Sequence, residues 1–205
     1  MIPYFVSDNY TRSELSPKGG EEPYISFIGL LYDHRKGVDL LLQALKLLKD
    51  RGKNYRLKLI GEGRLRGEYE AYAEEHQLKV EFLGKVSEEE NYQIVARSRL
   101  FVGPSRAESF GIVYIESLCA GTPVIGFAPT VRELQALIDP SVGTPFDPER
   151  QDTHLLAAEI ENWMEEKADA FEVRREELAK GTHALYSRQA YREQYAKLYS
   201  KLCGL

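Results

Sequence analysis

The chain has little of what metal-bound, disulfide-linked or membrane-spanning proteins require. Among 205 residues there are two cysteines, Cys119 and Cys203, which lie far apart and lack the spacing of a metal-binding motif. No apolar run reaches the roughly 18 residues that a membrane-spanning helix needs. The N-terminal stretch MIPYFVSDNY has neither the basic flank nor the apolar core of a signal peptide. These features together favour a cytoplasmic protein with reduced thiols.

An excess of positive charge is lacking as well. The formal net charge is -5 and the sequence pI is about 5.5, which argues against nucleic acid as a general partner. No pair of aspartates stands out as a divalent-metal site, and no internal repeat or low-complexity segment is present. With 43% hydrophobic residues, the chain is long enough for one domain with a real core and short for two.

Short apolar strands alternate with amphipathic helices over the first two thirds of the chain. Strands are predicted at 24–30, 55–61, 79–84, 99–105 and 123–127, and Ser87 with Glu90 forms a possible capping box for a helix after the third strand. About five such β-α repeats predict an α/β fold with a Rossmann-like, doubly wound parallel sheet. Ligands of these sheets bind beyond the carboxyl ends of the strands, at a topological switch point.

The pattern changes on both sides of this repeat. Residues 1–22 are predicted to be a linker or entry arm, residues 23–148 the core with the sheet, and residues 149–205 a set of helices. The last helix carries one apolar stripe, formed by Tyr191, Tyr195, Leu198 and Leu202. Such a stripe packs on its own domain, stays exposed on a frayed end, or is covered by another protein surface. A weak homodimer is therefore expected.

Two glutamates stand in the apolar stretch AESFGIVYIESLCAGTPVIGF, residues 107–127. Because Gly111 breaks a continuous helix, Glu108 is expected in a loop and Glu116 one to two turns into a helix. Backbone N–H groups at that helix start suit phosphate, and ionised carboxylates bind hydroxyl groups strongly. A nucleotide sugar, with hydroxyls on both sides of a diphosphate, fits this pattern. From residue types alone, a solvated loop charge at Glu108 and an ordinary helix charge at Glu116 fit equally well.

The same stretch resembles the donor-site motif of the retaining GT-B glycosyltransferases of family 4, also called glycosyltransferase group 1. That motif has two glutamates with seven residues between them, followed by Ala/Cys-x-Gly-x-Pro-Val-Ile. Here Glu108 and Glu116 are followed by CAGTPVI, residues 119–125. The stretches FIGLLYDHRKGVDLLLQAL, LKLIGEG, VEFLGKVSEEE and RLFVGPS also occur in the family's order. The resemblance implies the C-terminal, donor-binding half of a GT-B fold.

The resemblance implies roles for individual residues. Glu116 would bind the ribose hydroxyls and Glu108 the hydroxyls of the transferred sugar. Lys36 matches the family's diphosphate lysine, so Lys36 and Glu108 are the expected catalytic residues. The further expected donor-binding residues are Ser109, Phe110, Gly111 and Ile112 through their backbone, Lys85 and Val86 beside the base, and Arg35.

One position departs from the family's pattern. The family usually has an arginine directly after the glycine that ends the first strand, as a second cation for the diphosphate. Here Leu30 follows Gly29. Arg35 or His34 is the nearest substitute; otherwise phosphate binding is weak, or the protein is not a competent transferase.

The implied function is transfer of a hexosyl unit, with retention, from a nucleotide-diphosphate sugar such as a UDP or GDP sugar to a glycan, lipid or small molecule. No cofactor or metal is expected. The acceptor-binding half would lie in the same or a separate chain, with peripheral association at the inner face of a membrane as a further expectation. Alone, this chain is expected to be inactive. The alternatives are a non-catalytic nucleotide-sugar-binding or regulatory module, and a GT-B relative such as a nucleotide-sugar epimerase or a phosphorylase.

Overall fold

The described part of the chain contains one parallel sheet of six strands. In a computed structural model of the protein, the described residues are 6–7, 10, 22–147, 149–150 and 152–203. The strands are β1 (Tyr24–Ile28), β2 (Arg56–Ile60), β3 (Val80–Gly84), β4 (Leu100–Gly103), β5 (Val124–Phe127) and β6 (Gly143–Phe146). Their order is β3-β2-β1-β4-β5-β6, and every neighbouring pair is parallel. The predicted Rossmann-like, doubly wound parallel sheet is therefore confirmed.

Helices follow the strands and continue beyond the sheet. They are α1 (Val38–Asp50), α2 (Arg66–Glu75), α3 (Glu88–Arg97), α4 (Ile112–Cys119), α5 (Ala128–Leu137), α6 (Thr153–Asn162), α7 (Ala168–Tyr186) and α8 (Arg188–Cys203). A π-helical segment, Trp163–Lys167, joins α6 to α7, so the chain is helical from 153 to 186. The predicted capping box is confirmed, because Ser87 and Glu90 exchange bonds at the start of α3.

The prediction of about five repeats missed α5 and β6. Helix α5 begins at Ala128 directly after β5, without the polar loop that marks a boundary in sequence. Strand β6 has the sequence GTPF, and glycine and proline are depleted in strands. It tolerates Pro145 because it is an edge strand, which pairs with β5 alone.

The core lies between the sheet and the helices on it. The apolar face of α1 predicted from helical spacing, Val38, Leu41, Leu42, Leu45 and Leu48, is at most 3% exposed. Leu156, Ile160 and Trp163, also predicted as core, are buried. Helix α1 packs against α6, and α4 packs against α7. The C-terminal helices are therefore built into the domain up to α7.

The arm and the last helix differ from this core. Val6 and Tyr10, in the described part of the arm, are buried, and the Val6 N–H donates to the Tyr186 carbonyl at 3.0 Å; most of residues 1–22 lies outside the described residues. Helix α8 buries none of its side chains, and Leu202 is 72% exposed. Within the stripe, Tyr191 and Tyr195 are half-buried and Leu198 is exposed, so the described residues cover the stripe only in part. No described helix is long and apolar enough to cross a membrane.

Candidate functional site

The switch point lies between β1 and β4, where the strand order reverses. The loop after β1 (residues 29–37) and the loop after β4 (residues 104–111) touch at Gly37. Gly37 has a φ of 70°, and a Cβ on it would lie 2.1 Å from the Pro104 carbonyl oxygen. Only glycine fits this contact. The two loops therefore form one continuous rim at the carboxyl end of the sheet.

An arginine clamps these two loops together. Arg106 donates from Nη1 and Nη2 to the two Asp39 carboxylate oxygens at 2.8 and 2.7 Å. Its Nη1 also donates to the His34 carbonyl at 2.5 Å, and its backbone N–H donates to the Arg35 carbonyl at 2.7 Å. A bidentate guanidinium–carboxylate pair fixes both distance and orientation. The clamp holds the turn of residues 34–36 against the loop that carries Glu108.

Lys36 and Glu108 meet across the switch point. The Lys36 Nζ lies 2.8 Å from Oε1 and 2.9 Å from Oε2 of Glu108, although the residues are 72 positions apart in the chain. Ser105 Oγ donates to Glu108 Oε1 at 2.7 Å. The side chain of Glu108 is 7% exposed and that of Lys36 is 28% exposed. The structure thus brings together the two residues predicted to be catalytic.

The start of α4 forms the floor beside this ion pair. Gly111, the residue before the helix, has a φ of 74°, and no side chain of the described residues caps the helix. A cavity of about 310 Å³ lies over this helix start. Its lining consists of Lys36, Glu108, Ser109, Phe110, Gly111, Ile112 and Val113. Six of the predicted site residues therefore share one cavity, beside the positive end of a helix.

Helix α4 is held in place by groups at both ends. Near its start, the Tyr114 hydroxyl donates to the Gly103 carbonyl at 2.7 Å and accepts from the Phe127 N–H at 3.1 Å. A Cβ at Gly126 would lie 2.3 Å from the Tyr114 ring. At its far end, the buried guanidinium of Arg175 donates to the Ala120 and Gly121 carbonyls at 3.3 and 3.1 Å. These bonds fix α4 relative to β4 and β5.

Glu116 lies one turn into α4, as predicted, but its surroundings differ from those of Glu108. Burial raises the pKa of Glu116 to about 7, with a further contribution from the negative charge of Glu88. No described residue donates a hydrogen bond to its carboxylate or pairs with it. Among the described residues, Glu116 is therefore a half-buried acceptor without a donor.

Other predicted site residues lie at the edge of this arrangement. Arg35 pairs with Asp33 at 2.9 Å, is 70% exposed, and does not line the cavity. Lys85 is exposed and Val86 half-buried in the loop between β3 and α3. That loop leads into Glu88, the neighbour of Glu116. The donor contacts of Arg35, Lys85 and Val86 remain predictions.

Three residues that position the site were missed. Asp39, Arg106 and Tyr114 act through contacts 11 to 72 positions away. Arg106 lies in the loop segment PSRAESFG, and Tyr114 lies between the two glutamates. Both are therefore in or directly beside the motif, where a search of the sequence could have found them. Asp39 lies in the first turn of α1, where an acidic residue is common, so the sequence does not mark it as a site residue. The described residues include no group of three or more His, Cys, Asp or Glu side chains that could hold a metal ion.

Known proteins resemble this chain in both sequence and fold. A family model for glycosyl transferases group 1 matches residues 11–182. Over 193 residues the chain is 34% identical to a glycogen synthase of Halorhodospira halophila, covering 89% of this chain and 39% of that protein. Over 123 residues it is 34% identical to a phosphatidyl-myo-inositol mannosyltransferase of Propionibacterium freudenreichii, covering 60% of this chain and 29% of that one. The chain thus spans less than half the length of these relatives.

Solved structures show the same domain. The sucrose-phosphate synthase from Thermosynechococcus elongatus superimposes with a TM-score of 0.73 at 27% identity, over 99% of this chain and 50% of that one. A glycosyltransferase from Rickettsia africae superimposes with a TM-score of 0.78 at 18% identity, over 98% of this chain and 56% of that one. The chain belongs to the glycosyl transferases group 1 family, and its parallel sheet is a Rossmann-like domain of the GT-B type.

Proposed function

We propose that this chain is the C-terminal, donor-binding part of a retaining family 4 glycosyltransferase and that its donor is a nucleotide-diphosphate sugar. The observation that carries the proposal is the meeting of Lys36 and Glu108 at the uncapped start of α4, at the switch point of the sheet. An ammonium group and a helix start together suit a diphosphate. A carboxylate beside them suits the hydroxyls of a sugar.

The nucleoside is assigned to the side of the crevice where Glu116 lies. Its carboxylate has no donor among the described residues, and two ribose hydroxyls would supply the missing bonds. The base would then lie toward the loop of Lys85 and Val86, which leads into Glu88 beside Glu116. The order of groups along the crevice is thus base, ribose, diphosphate and sugar.

The transferred sugar is assigned to the cavity beside Glu108. As the bond between the sugar and the diphosphate breaks, negative charge grows on the leaving diphosphate and positive charge on the sugar ring. Lys36 and the start of α4 stabilise the first charge, and Glu108 lies near the second. The acceptor oxygen attacks from the side that the diphosphate leaves, and its proton passes to the leaving phosphate. Positioning and charge stabilisation by the protein are sufficient for this route, without a covalent intermediate.

The acceptor is assigned to a segment outside this chain. The relatives are more than twice as long as the matched part, and the names of two of them specify glycogen synthesis and mannosyl transfer. We infer that this protein transfers a hexosyl unit and that the remaining half of the enzyme, in the same or another chain, binds a glycan, lipid or small-molecule acceptor. The 205-residue chain alone is expected to bind donor and to form no product.

A second candidate is a nucleotide-sugar-binding module without turnover. It is favoured by Leu30, which is 60% exposed where the family pattern has a second diphosphate cation. Less stabilisation of the leaving diphosphate would reduce the rate more than the affinity. Product formation after addition of the missing half separates the two candidates.

Calorimetry on the purified chain tests the donor site. The ligands are UDP, ADP and GDP together with UDP-glucose, ADP-glucose and GDP-mannose. We expect binding of one base class, and Lys36→Ala should weaken both the diphosphate and its sugar ester by roughly tenfold or more. Lys180→Ala, which removes an exposed lysine on α7, is the control and should change neither affinity. Absence of binding by every member of the panel would refute the proposal.

A further inference from the structure

The cation assigned to the diphosphate is already engaged in the free protein. Lys36 Nζ lies within 2.9 Å of both oxygens of Glu108, and Ser105 Oγ donates to one of them at 2.7 Å. With Glu108 only 7% exposed, this is a shielded ion pair rather than a surface contact. Removing Lys36 from it leaves a buried carboxylate with one hydroxyl donor among the described residues.

We propose that this ion pair makes the site discriminate against a nucleoside diphosphate that lacks a sugar. The inference rests on the proposed function, in which Lys36 binds the diphosphate and Glu108 binds the sugar. It adds a role that depends on the contact between the two residues and not on either residue alone.

The discrimination depends on whether the ligand replaces the hydrogen bonds that Glu108 loses when Lys36 moves away. Either ligand draws Lys36 toward its phosphates and weakens the bond to Glu108. A nucleotide sugar compensates, because its sugar hydroxyls donate to the carboxylate. A nucleoside diphosphate offers no such donor. Its terminal phosphate also carries additional negative charge near pH 7, close to a carboxylate that has lost its cation.

The consequence concerns release of the product. Transfer of the sugar converts the nucleotide sugar into a nucleoside diphosphate in the same crevice. Glu108 then has no sugar hydroxyls and competes with the diphosphate for Lys36. Re-formation of the ion pair therefore favours departure of the diphosphate and limits inhibition by product.

Calorimetry with Glu108→Gln tests whether Glu108 weakens the binding of a nucleoside diphosphate. The variant keeps the size and the acceptor oxygen of the side chain but removes its charge, so it holds Lys36 less tightly. With UDP, ADP or GDP, whichever the natural chain binds, we expect affinity about tenfold tighter than for the natural chain, the scale of one charge-assisted hydrogen bond. The corresponding nucleotide sugar should bind equally well or more weakly. Unchanged or weaker binding of the diphosphate would overturn the inference.

A double-mutant cycle separates the ion pair from simple repulsion. In a Lys36→Met background, the gain from Glu108→Gln should shrink to the part that comes from repulsion between the carboxylate and the phosphate. A gain of the same size in that background would show that Glu108 acts on the phosphate directly, and the inference would fail. Glu176→Gln breaks an exposed ion pair with Lys180 at 3.7 Å and controls for the change in net charge.

The failures of the two proposals are distinguishable. If the natural chain binds no nucleotide, the proposed function falls and this inference with it. If the natural chain binds but Glu108→Gln brings no gain, only the discrimination is wrong. Circular dichroism melts check folding, and Glu108→Ala, with the same expected sign, replaces the glutamine variant if that variant does not fold.

Discussion

Glu108 and Glu116 are eight positions apart in the chain and differ in electrostatic environment. Glu108, in the loop after β4, has a lysine on both oxygens and a serine hydroxyl on one. Glu116, one turn into α4, has no donor among the described residues and faces a second negative charge from Glu88. Within the described part of the domain, one carboxylate is compensated and the other is not.

The difference indicates where a ligand gains affinity. A ligand that reaches Glu108 must replace bonds that already exist, so its net gain there is small. A ligand that reaches Glu116 supplies bonds that are missing, so its gain there is large. Nucleotide affinity should therefore depend mainly on Glu116, and selectivity for the attached sugar mainly on Glu108.

The largest expected effect is on nucleotide affinity at Glu116. Glu116→Ala should weaken both the nucleoside diphosphate and the nucleotide sugar by roughly 1.5–3 kcal/mol, the scale of hydrogen bonds to a charged group. Calorimetry measures both affinities, with Glu176→Ala as an exposed control. A loss confined to the sugar-bearing ligand would show that Glu116, rather than Glu108, contacts the sugar.

The same carboxylate should reduce the stability of the free protein. Because the folded-state pKa of Glu116 is raised to about 7, its contribution to stability falls as the pH rises from the unfolded pKa through 7. Above pH 7, Glu116→Gln should be more stable than the natural chain by roughly 1–3 kcal/mol, and the difference should shrink toward pH 4.5. Urea unfolding at a series of pH values measures it. A difference independent of pH would mean that Glu116 is already compensated.

The clamp between the loops should contribute less, but to both stability and binding. Arg106→Ala leaves the Asp39 carboxylate without its bidentate partner and frees the turn that carries Lys36. We expect a loss of about 1–2 kcal/mol in the free energy of unfolding, together with weaker diphosphate binding. Arg174→Ala, which breaks an ion pair with Asp139 outside the cavity lining, is the matched control for binding. Unchanged diphosphate affinity in Arg106→Ala would show that Lys36 is positioned without the clamp.

A cation at position 30 should give a smaller gain. Leu30 is 60% exposed, so an arginine fits there without repacking the core. Leu30→Arg should tighten the nucleoside diphosphate by about 0.3–1 kcal/mol, and the gain should shrink at high salt. The nucleoside without phosphates is the control ligand. If neither affinity changes, another cation, such as Arg35, already fills this role.

The smallest expected effect on nucleotide affinity comes from Tyr195 and Leu198 on α8, which do not line the cavity beside Glu108. Replacing Tyr195 and Leu198 with serine should leave that affinity unchanged. It should abolish the weak, concentration-dependent dimer expected from the partly exposed stripe. Analytical ultracentrifugation over a range of concentrations measures the dimer. A natural chain that is monomeric at every concentration would remove the dimer prediction.

The repeat of strands and helices was predictable because burial on one face gives a local period. Alternating short apolar runs and 3.6-residue patterns identified five strands, the helices that follow four of them, and the position of Glu116 within α4. The same reasoning failed for α5 and β6. Helix α5 follows β5 without a polar loop, and GTPF has the composition of a turn. Strand β6 exists because β5 offers a free edge with which it pairs.

The sequence by itself determined the fold class, the family motif and the presence of two carboxylates beside a helix start, since each depends on residues close together in the chain. The tertiary structure decided which carboxylate has a partner. Strand order places β1 beside β4, and this brings Lys36 to Glu108 across 72 positions. Among the described residues, the packing of α3 beside α4 places Glu88 rather than a cation near Glu116. Such contacts depend on packing between distant segments, which no local period encodes.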